Sequence, residues 1–145
     1  MGSTKVHFQL VQDEDDYPPV AVESVWAQAA PNAGEYVLDN VPFFAREATL
    51  GDVVRVREVE GNLFFEKVVR RSDNSLVRVV FFDRTCFEKV NERLISFGCS
   101  TEFLSAHSLL AVSIPDNVKL VEVQAYLQSE AHAGSIDYEE PILRQ

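Results

Sequence analysis

The stretch EYVLDNVPFFAREATLGDVVRV, residues 35–56, decides the fold of this chain. It opens with a short amphipathic strand and closes with a valine-rich strand that follows a Gly-Asp turn. Between the two, Pro42 fixes a turn, and Phe43 and Phe44 form an aromatic corner beside it. Strands joined through an irregular corner of this kind are typical of a small antiparallel barrel.

Alternating apolar residues predict further strands on both sides of this stretch. They cover residues 5–11, 22–29, 53–60, 63–69 and 76–82. Short turns rich in Gly, Asn and Asp separate most of them. Residues 1–75 are therefore expected to form an antiparallel meander that curls into a small barrel.

The period changes from two to 3.6 after residue 82. Thr85 and Glu88 have the spacing of a capping box, an apolar stripe follows it, and Gly98 is a natural helix stop. Strands over 99–104 and 108–114, a second helix from Pro115 and a strand over 135–143 complete the chain. The order strand, helix, strand, strand, helix, strand predicts a ferredoxin-like βαββαβ sandwich over residues 76–145. The predicted fold is thus α+β, with both subdomains closely packed as one unit.

A group of short motifs in the first half resembles a known family. These are Val25-Trp26-Ala27, Gly34, Tyr36, the run Leu38-Asp39-Asn40-Val41-Pro42-Phe43-Phe44-Ala45, and Gly51-Asp52-Val53-Val54. Together they resemble the bacterial domain of unknown function DUF4265, most strongly over residues 25–56 and more weakly to about residue 130. The resemblance implies a small α+β bacterial protein, and it brings no catalytic residues with it.

The charge pattern narrows the range of partners. A net charge of −10 and a pI near 4.7 argue against nucleic acid and anionic membranes as main partners. Strand 109–114 also lacks the rings and cations that an RNA-binding sheet needs. No apolar run approaches the ~20 residues of a membrane span, and the first residues do not resemble a signal peptide. We therefore expect a cytoplasmic protein.

Two cysteines and three histidines give no catalytic or metal-binding signature, so no cofactor, metal or catalytic residue is predicted. Cys86 is the best candidate nucleophile, because a helix N-terminus and Arg84 would both lower its pKa. However, the sequence places no base beside it, and an inert thiol is the favoured interpretation.

Basic residues concentrate in the middle of the chain, between Arg46 and Arg93. Arg55 and Arg57 have the same strand parity and are expected to project together. The full cluster is Arg55, Arg57, Lys67, Arg70, Arg71, Arg78 and Arg84. It is interpreted either as a solvated face with cross-strand ion pairs or as a site for an anion or an acidic partner.

The preferred hypothesis is a non-enzymatic bacterial module that binds a protein, in one form an immunity-type inhibitor of a basic partner. The acidic segments 13–16 and 137–140 would steer such a partner. The alternative is a small-molecule or anion-sensing regulatory domain with a pocket between the two subdomains. An enzyme that uses Cys86 is less favoured, and the oligomeric state is left open. The candidate binding residues are Phe43, Phe44, Arg55, Arg57, Arg70 and Arg84.

Overall fold

The computed structural model describes residues 2–145, and the chain divides into two compact units. The first ends at Ser72 and the second runs from Asp73 to Gln145, whereas the sequence prediction placed the boundary after residue 75. Strands in both units are mostly antiparallel, and the second unit also contains two α-helices. The chain is therefore an α+β protein, and each unit has its own hydrophobic core.

The first unit is a closed five-stranded barrel. Its strands are β1 (Thr4–Gln9), β2 (Val22–Ala29), β3 (Glu35–Leu38), β4 (Val53–Val59) and β5 (Asn62–Arg70). Each strand pairs antiparallel with the next, and β5 returns to pair parallel with β1. This last pairing closes the sheet, so the barrel has no free edge strand.

Strict alternation along β1 and β2 fills the barrel interior. Val6 and Phe8 point inward with Val25 and Ala27, and all four are buried. Phe8 also stacks on Phe65 of β5, with ring centroids 4.6 Å apart. Because side chains alternate along a strand, the residues between these core positions face outward.

Two barrel strands end two residues earlier than the sequence predicts. β1 stops at Gln9 instead of residue 11, and Val11 lies exposed in the loop that follows. β3 stops at Leu38 instead of residue 40, because the side chain of Asn40, and not a backbone carbonyl, accepts the next hydrogen bond from β2. Its Oδ1 accepts the N–H of Trp26 at 2.7 Å.

The second unit is a four-stranded antiparallel sheet with two helices. Its elements are β6 (Ser75–Phe81), α1 (Phe87–Phe97), β7 (Ser100–Leu104), β8 (Leu109–Ile114), α2 (Leu120–His132) and β9 (Ile136–Ile142). The strand order in the sheet is β7-β8-β6-β9. Val79 of β6, Leu110 of β8 and Ile136 of β9 share one core with Leu94 of α1 and Leu127 of α2. The helices therefore pack on one face of the sheet.

The predicted capping box of α1 is wrong. Asp83 instead caps the turn that precedes the helix, since its Oδ1 accepts the N–H of Thr85 at 2.9 Å and the Thr85 hydroxyl at 2.6 Å. A 3₁₀ turn over Arg84–Cys86 follows, and α1 starts only at Phe87. The Thr85 hydroxyl acts here as a donor to a carboxylate, so it does not cap the helix.

The predicted stop of α1 at Gly98 is confirmed. Gly98 caps the helix with φ +111°, a conformation that side chains with a Cβ rarely adopt. A Cβ at this position would also lie 2.8 Å from Cγ2 of Val118.

Helix α2 begins later than residues 115–117, where the sequence predicts its start. The N–H of Val118 donates to the carbonyl of Pro115 at 3.1 Å, and Lys119 is still extended. The predicted apolar stripe of α2 is confirmed at Leu120, Val123 and Leu127, all of which are buried.

Candidate functional site

The outer surface of the barrel carries an unusual set of side chains on β1, β2 and β5. Trp26 is 45 % exposed and Val22 is 46 % exposed, and both point away from the core that holds Val25. We call this surface the aromatic face. Its members are Lys5, His7, Val22, Ser24, Trp26 and Phe64.

Strand register places these side chains next to one another. Lys5 pairs with Trp26 across β1 and β2, and His7 pairs with Ser24 on one side and Phe64 on the other. Nζ of Lys5 lies 4.9 Å from the centroid of the Trp26 ring, within the range of a cation–π interaction.

His7 fixes the other half of the aromatic face. Its Nδ1 lies 2.7 Å from Oγ of Ser24, within hydrogen-bonding distance, and its ring lies 5.5 Å from that of Phe64. The side chains of the aromatic face therefore hold one another in place.

The aromatic face is poor in charge. Lys5 is its one Lys, Arg, Asp or Glu residue, although the whole chain has a net charge of −10. An exposed Trp ring beside the half-buried rings of His7 and Phe64, with few charges, matches the composition of the centre of a protein–protein interface. The sequence signal for this surface was the alternation along β2, which puts Trp26 and the buried Val25 on opposite faces of the strand. No function was predicted for Trp26 from the sequence.

The predicted aromatic corner has a structural role. Phe44 is 7 % exposed and makes an edge contact with Tyr17 at 6.3 Å, while Phe43 is half-buried. The carboxylate of Glu23, itself buried, accepts three consecutive backbone N–H groups, those of Phe43, Phe44 and Ala45, at 2.5, 2.9 and 2.8 Å. Glu23 therefore organises the corner.

Asp52 plays a similar part at the other end of the irregular segment. It is fully buried; its Oδ2 accepts the N–H of Thr49 at 3.0 Å and its Oδ1 accepts the N–H of Ser72 at 2.8 Å. Asp52 is therefore a turn residue whose carboxylate binds backbone.

The predicted basic residues of the barrel are distributed over β4 and β5. Arg55 and Arg57 are both exposed; Arg55 pairs with Glu35 at 3.4 Å, and Arg57 lies opposite Phe64 beside the aromatic face. Arg70 lies opposite Val53 on the wall of a separate groove. The three arginines therefore have different neighbours, which are Glu35, Phe64 and Val53.

Two further arginines of the predicted cluster belong to the second unit. Arg84 donates from Nη1 to the carbonyl of Ser105 at 3.2 Å and to Oγ of Ser108 at 3.1 Å, and it lies 5.0 Å from the ring of Phe103. Arg78, in the central strand β6, is 1 % exposed and pairs with Glu139 at 3.4 Å. Arg84 and Arg78 are thus tied into the fold of the second unit.

Cys86 does not have the environment that a nucleophile requires. Burial, reinforced by the negative charge of Asp83, raises the pKa of the Cys86 thiol above its usual range. The thiol also donates to the carbonyl of Asp83 at 3.0 Å. The expectation of a lowered pKa is therefore wrong, because Arg84 turns to Ser105 and Asp83 is the charge with the largest effect on the thiol. Burial likewise raises the pKa of Cys99 to about 11.

A shallow depression of about 610 Å³ on the second unit lies over α1 and α2. Its two basic residues already have partners: Lys89 pairs with Glu130 at 3.2 Å, and the guanidinium of Arg93 lies 5.7 Å from the Tyr126 ring. Within residues 2–145, no three or more His, Cys, Asp or Glu side chains are placed to hold a metal ion. Likewise, no helix in that range is long and apolar enough to cross a membrane.

The fold and the site define a small α+β protein whose most distinctive surface is an exposed aromatic face. The chain belongs to the family described as "Domain of unknown function (DUF4265)", whose model matches residues 23–138. The resemblance seen in the sequence is therefore confirmed.

The chain is also similar in structure to a hypothetical protein from Neisseria gonorrhoeae solved by crystallography, with a TM-score of 0.84 and 19 % identity. That match covers 100 % of this chain and 98 % of the other, and at this identity it shows the fold alone. No curated protein matches the chain.

Proposed function

We propose that this protein is a non-enzymatic module that binds another protein through the aromatic face. The single observation that carries the proposal is Trp26, which stands 45 % exposed on a surface with one charged residue. Trp is the residue type most enriched among those that dominate binding energy at interfaces. Its partner would supply a pocket for the indole and apolar groups for Val22 and Phe64.

Pre-organisation of the aromatic face supports this proposal. Lys5 holds the Trp26 ring, and His7 contacts both Ser24 and Phe64. Side chains already fixed before binding lose less conformational entropy when the complex forms. A surface of this kind can bind tightly over a small area.

Acidic residues next to the aromatic face support a basic partner. The loop between β1 and β2 carries the exposed residues Glu14, Asp15 and Asp16, and β1 and β2 are the strands that carry Lys5 and Trp26. The Asp13 carboxylate orders this loop, since its Oδ1 accepts the N–H groups of Asp15 at 2.8 Å and of Tyr17 at 3.0 Å. An ordered acidic loop beside an apolar surface would accelerate association with a cationic protein.

More specifically, we propose that the protein is bacterial and cytoplasmic and acts as an immunity-type inhibitor of a basic partner. Its second unit is interpreted as ferredoxin-like; the element order and the sheet order β7-β8-β6-β9 support that interpretation. The proposal includes no catalysis, because the raised pKa of Cys86 and its bond to Asp83 oppose nucleophilic chemistry.

Affinity capture from native bacterial lysate with the tagged full chain tests the proposal. The wild type is compared with Trp26→Ala and with a control, Val121→Ala, which removes a side chain that is 69 % exposed on α2. We expect one protein, basic in composition, to be retained by the wild type and the control at low salt and released as salt rises. Trp26→Ala should retain at least about tenfold less, as expected for loss of a dominant interface residue. Equal retention by all three proteins would contradict the proposal.

A further inference from the structure

A second surface of the barrel has the form of a small-molecule site. It is a groove of about 410 Å³ on the outside of β3, β4 and β5. Val37, Val53 and Val69 supply its apolar floor, and Asn32, Glu35 and Arg70 supply its polar groups. None of these residues belongs to the aromatic face.

The strand register separates Glu35 from Arg70 within the groove. Val37 pairs with Val53, and Val53 pairs with Arg70, so these three residues form a row across the strands. Glu35 lies two residues before Val37 on β3. With standard strand spacing and rise, the Cα atoms of Glu35 and Arg70 are about 12 Å apart. The carboxylate and the guanidinium therefore approach the valine floor from opposite ends.

The Glu35 carboxylate has unused capacity to accept hydrogen bonds. It is only 7 % exposed, yet its two contacts are long: Nδ2 of Asn32 donates to Oε1 at 3.3 Å and Nη2 of Arg55 donates to Oε2 at 3.4 Å. Charged hydrogen bonds in proteins are usually about 2.8 Å long, and a carboxylate has roughly four lone-pair positions. An additional donor with a positive charge would be favourable here.

The Arg70 guanidinium offers the complementary group. The Arg70 side chain is exposed, and it has no hydrogen bond or ion pair to any side chain or backbone group of residues 2–145. A guanidinium presents parallel N–H donors that match the two oxygens of a carboxylate.

We infer that this groove binds a small molecule with an ammonium group and a carboxylate joined by an apolar spacer. The ammonium donates to Glu35, the spacer covers Val37 and Val53, and the carboxylate binds Arg70. An ω-amino acid has this chemistry, whereas an α-amino acid holds its two charges too close together to reach both ends.

Titration of the ¹⁵N-labelled full chain with 6-aminohexanoate, followed by NMR, tests this inference. The matched controls are hexanoate, which lacks the ammonium, and hexylamine, which lacks the carboxylate. We expect saturable amide shifts at Val37, Val53 and Arg70 with 6-aminohexanoate, and affinities about tenfold weaker with either control, since each loses one charge-assisted contact.

Two variants assign the contacts. Arg70→Gln should reduce the affinity for 6-aminohexanoate to that of hexylamine, and Glu35→Gln should reduce it to that of hexanoate. Arg57→Gln, outside the groove, should leave the affinity unchanged, and the amide spectra of the free proteins verify that each variant is folded. The inference is overturned if 6-aminohexanoate causes no saturable shifts at these amides, if hexanoate or hexylamine binds equally well, or if folded Arg70→Gln binds as the wild type does.

Discussion

The aromatic corner at residues 41–45 and the aromatic face around Trp26 are both rich in rings, but their environments are opposite. In the corner, Phe44 is buried, and its own N–H and those of its two neighbours donate to Glu23. On the face, Trp26 and His7 contact other side chains; Trp26 remains exposed and His7 is half-buried. The aromatic corner, which is conspicuous in the sequence, is therefore part of the scaffold. The aromatic face, which is less conspicuous, is the surface available for binding.

The difference follows from where the backbone finds its hydrogen bonds. Most residues on β1 and β2 satisfy their N–H and C=O groups in the barrel ladder, and the N–H of Trp26 donates to Oδ1 of Asn40. Their outward side chains are therefore available. The corner leaves the ladder, so its N–H groups need another acceptor, and Glu23 provides it. Side chains on regular strands are therefore better candidates for binding here than those in the irregular segment.

The largest effect is expected for Glu23→Ala. This change leaves three backbone N–H groups of the corner without their acceptor, and we expect it to lower the free energy of unfolding by about 3–5 kcal/mol. Urea denaturation followed by circular dichroism measures the loss. Glu58→Ala, at an exposed position on β4, is the control and should change the value by less than about 0.5 kcal/mol. If the two variants are equally stable, the corner does not depend on Glu23.

Truncation of Phe44 is expected to have the next largest effect. Phe44→Ala removes a buried ring and its contact with Tyr17, and should cost about 3 kcal/mol. Phe82→Ala removes a ring that is largely exposed and should cost much less. Thermal unfolding of both variants checks this contrast; a Phe44 variant as stable as the Phe82 variant would show that the corner is not part of the core.

In the second unit, the thiol of Cys86 resembles the aromatic corner, because it too forms a hydrogen bond with a backbone group. Its raised pKa means that the folded protein holds less thiolate at neutral pH than the unfolded chain does. We therefore expect iodoacetamide to modify Cys86 several-fold more slowly in the native protein than in urea. Rapid stoichiometric modification of the native protein, measured by mass spectrometry, would show a reactive cysteine instead.

The smallest effect is expected for Lys5→Met, which keeps the apolar stem and removes the cation above Trp26. We expect a loss of about 0.5 kcal/mol in the free energy of unfolding. Because Trp26 is the single Trp of the chain, its fluorescence reports this contact directly. An unchanged emission spectrum would indicate that Lys5 does not hold the ring in solution.

Sequence patterns predicted the element order, the parity of the strands and the buried stripe of α2, because each depends on local periodicity. They missed Glu23 and Glu35, because their partners lie about 20 residues away and depend on strand register. The cap at Asp83 was missed for another reason. Thr85 and Asp83 both fit the position of a cap, and only the bond between them decides which residue acts. The contacts of Arg55 and Arg84 could not be predicted for the same reason, because Glu35 and Ser105 lie about 20 residues away from them in sequence.

The central claim is that the aromatic face serves binding and the aromatic corner serves folding. The most direct test measures unfolding and lysate capture on the same preparations of Trp26→Ala and Phe44→Ala. We predict that Trp26→Ala loses about 1 kcal/mol or less of stability but at least about tenfold in capture. Phe44→Ala, studied below its unfolding transition, should lose stability and retain capture. The reverse pattern, with Trp26→Ala strongly destabilised and its capture unchanged, would contradict the account.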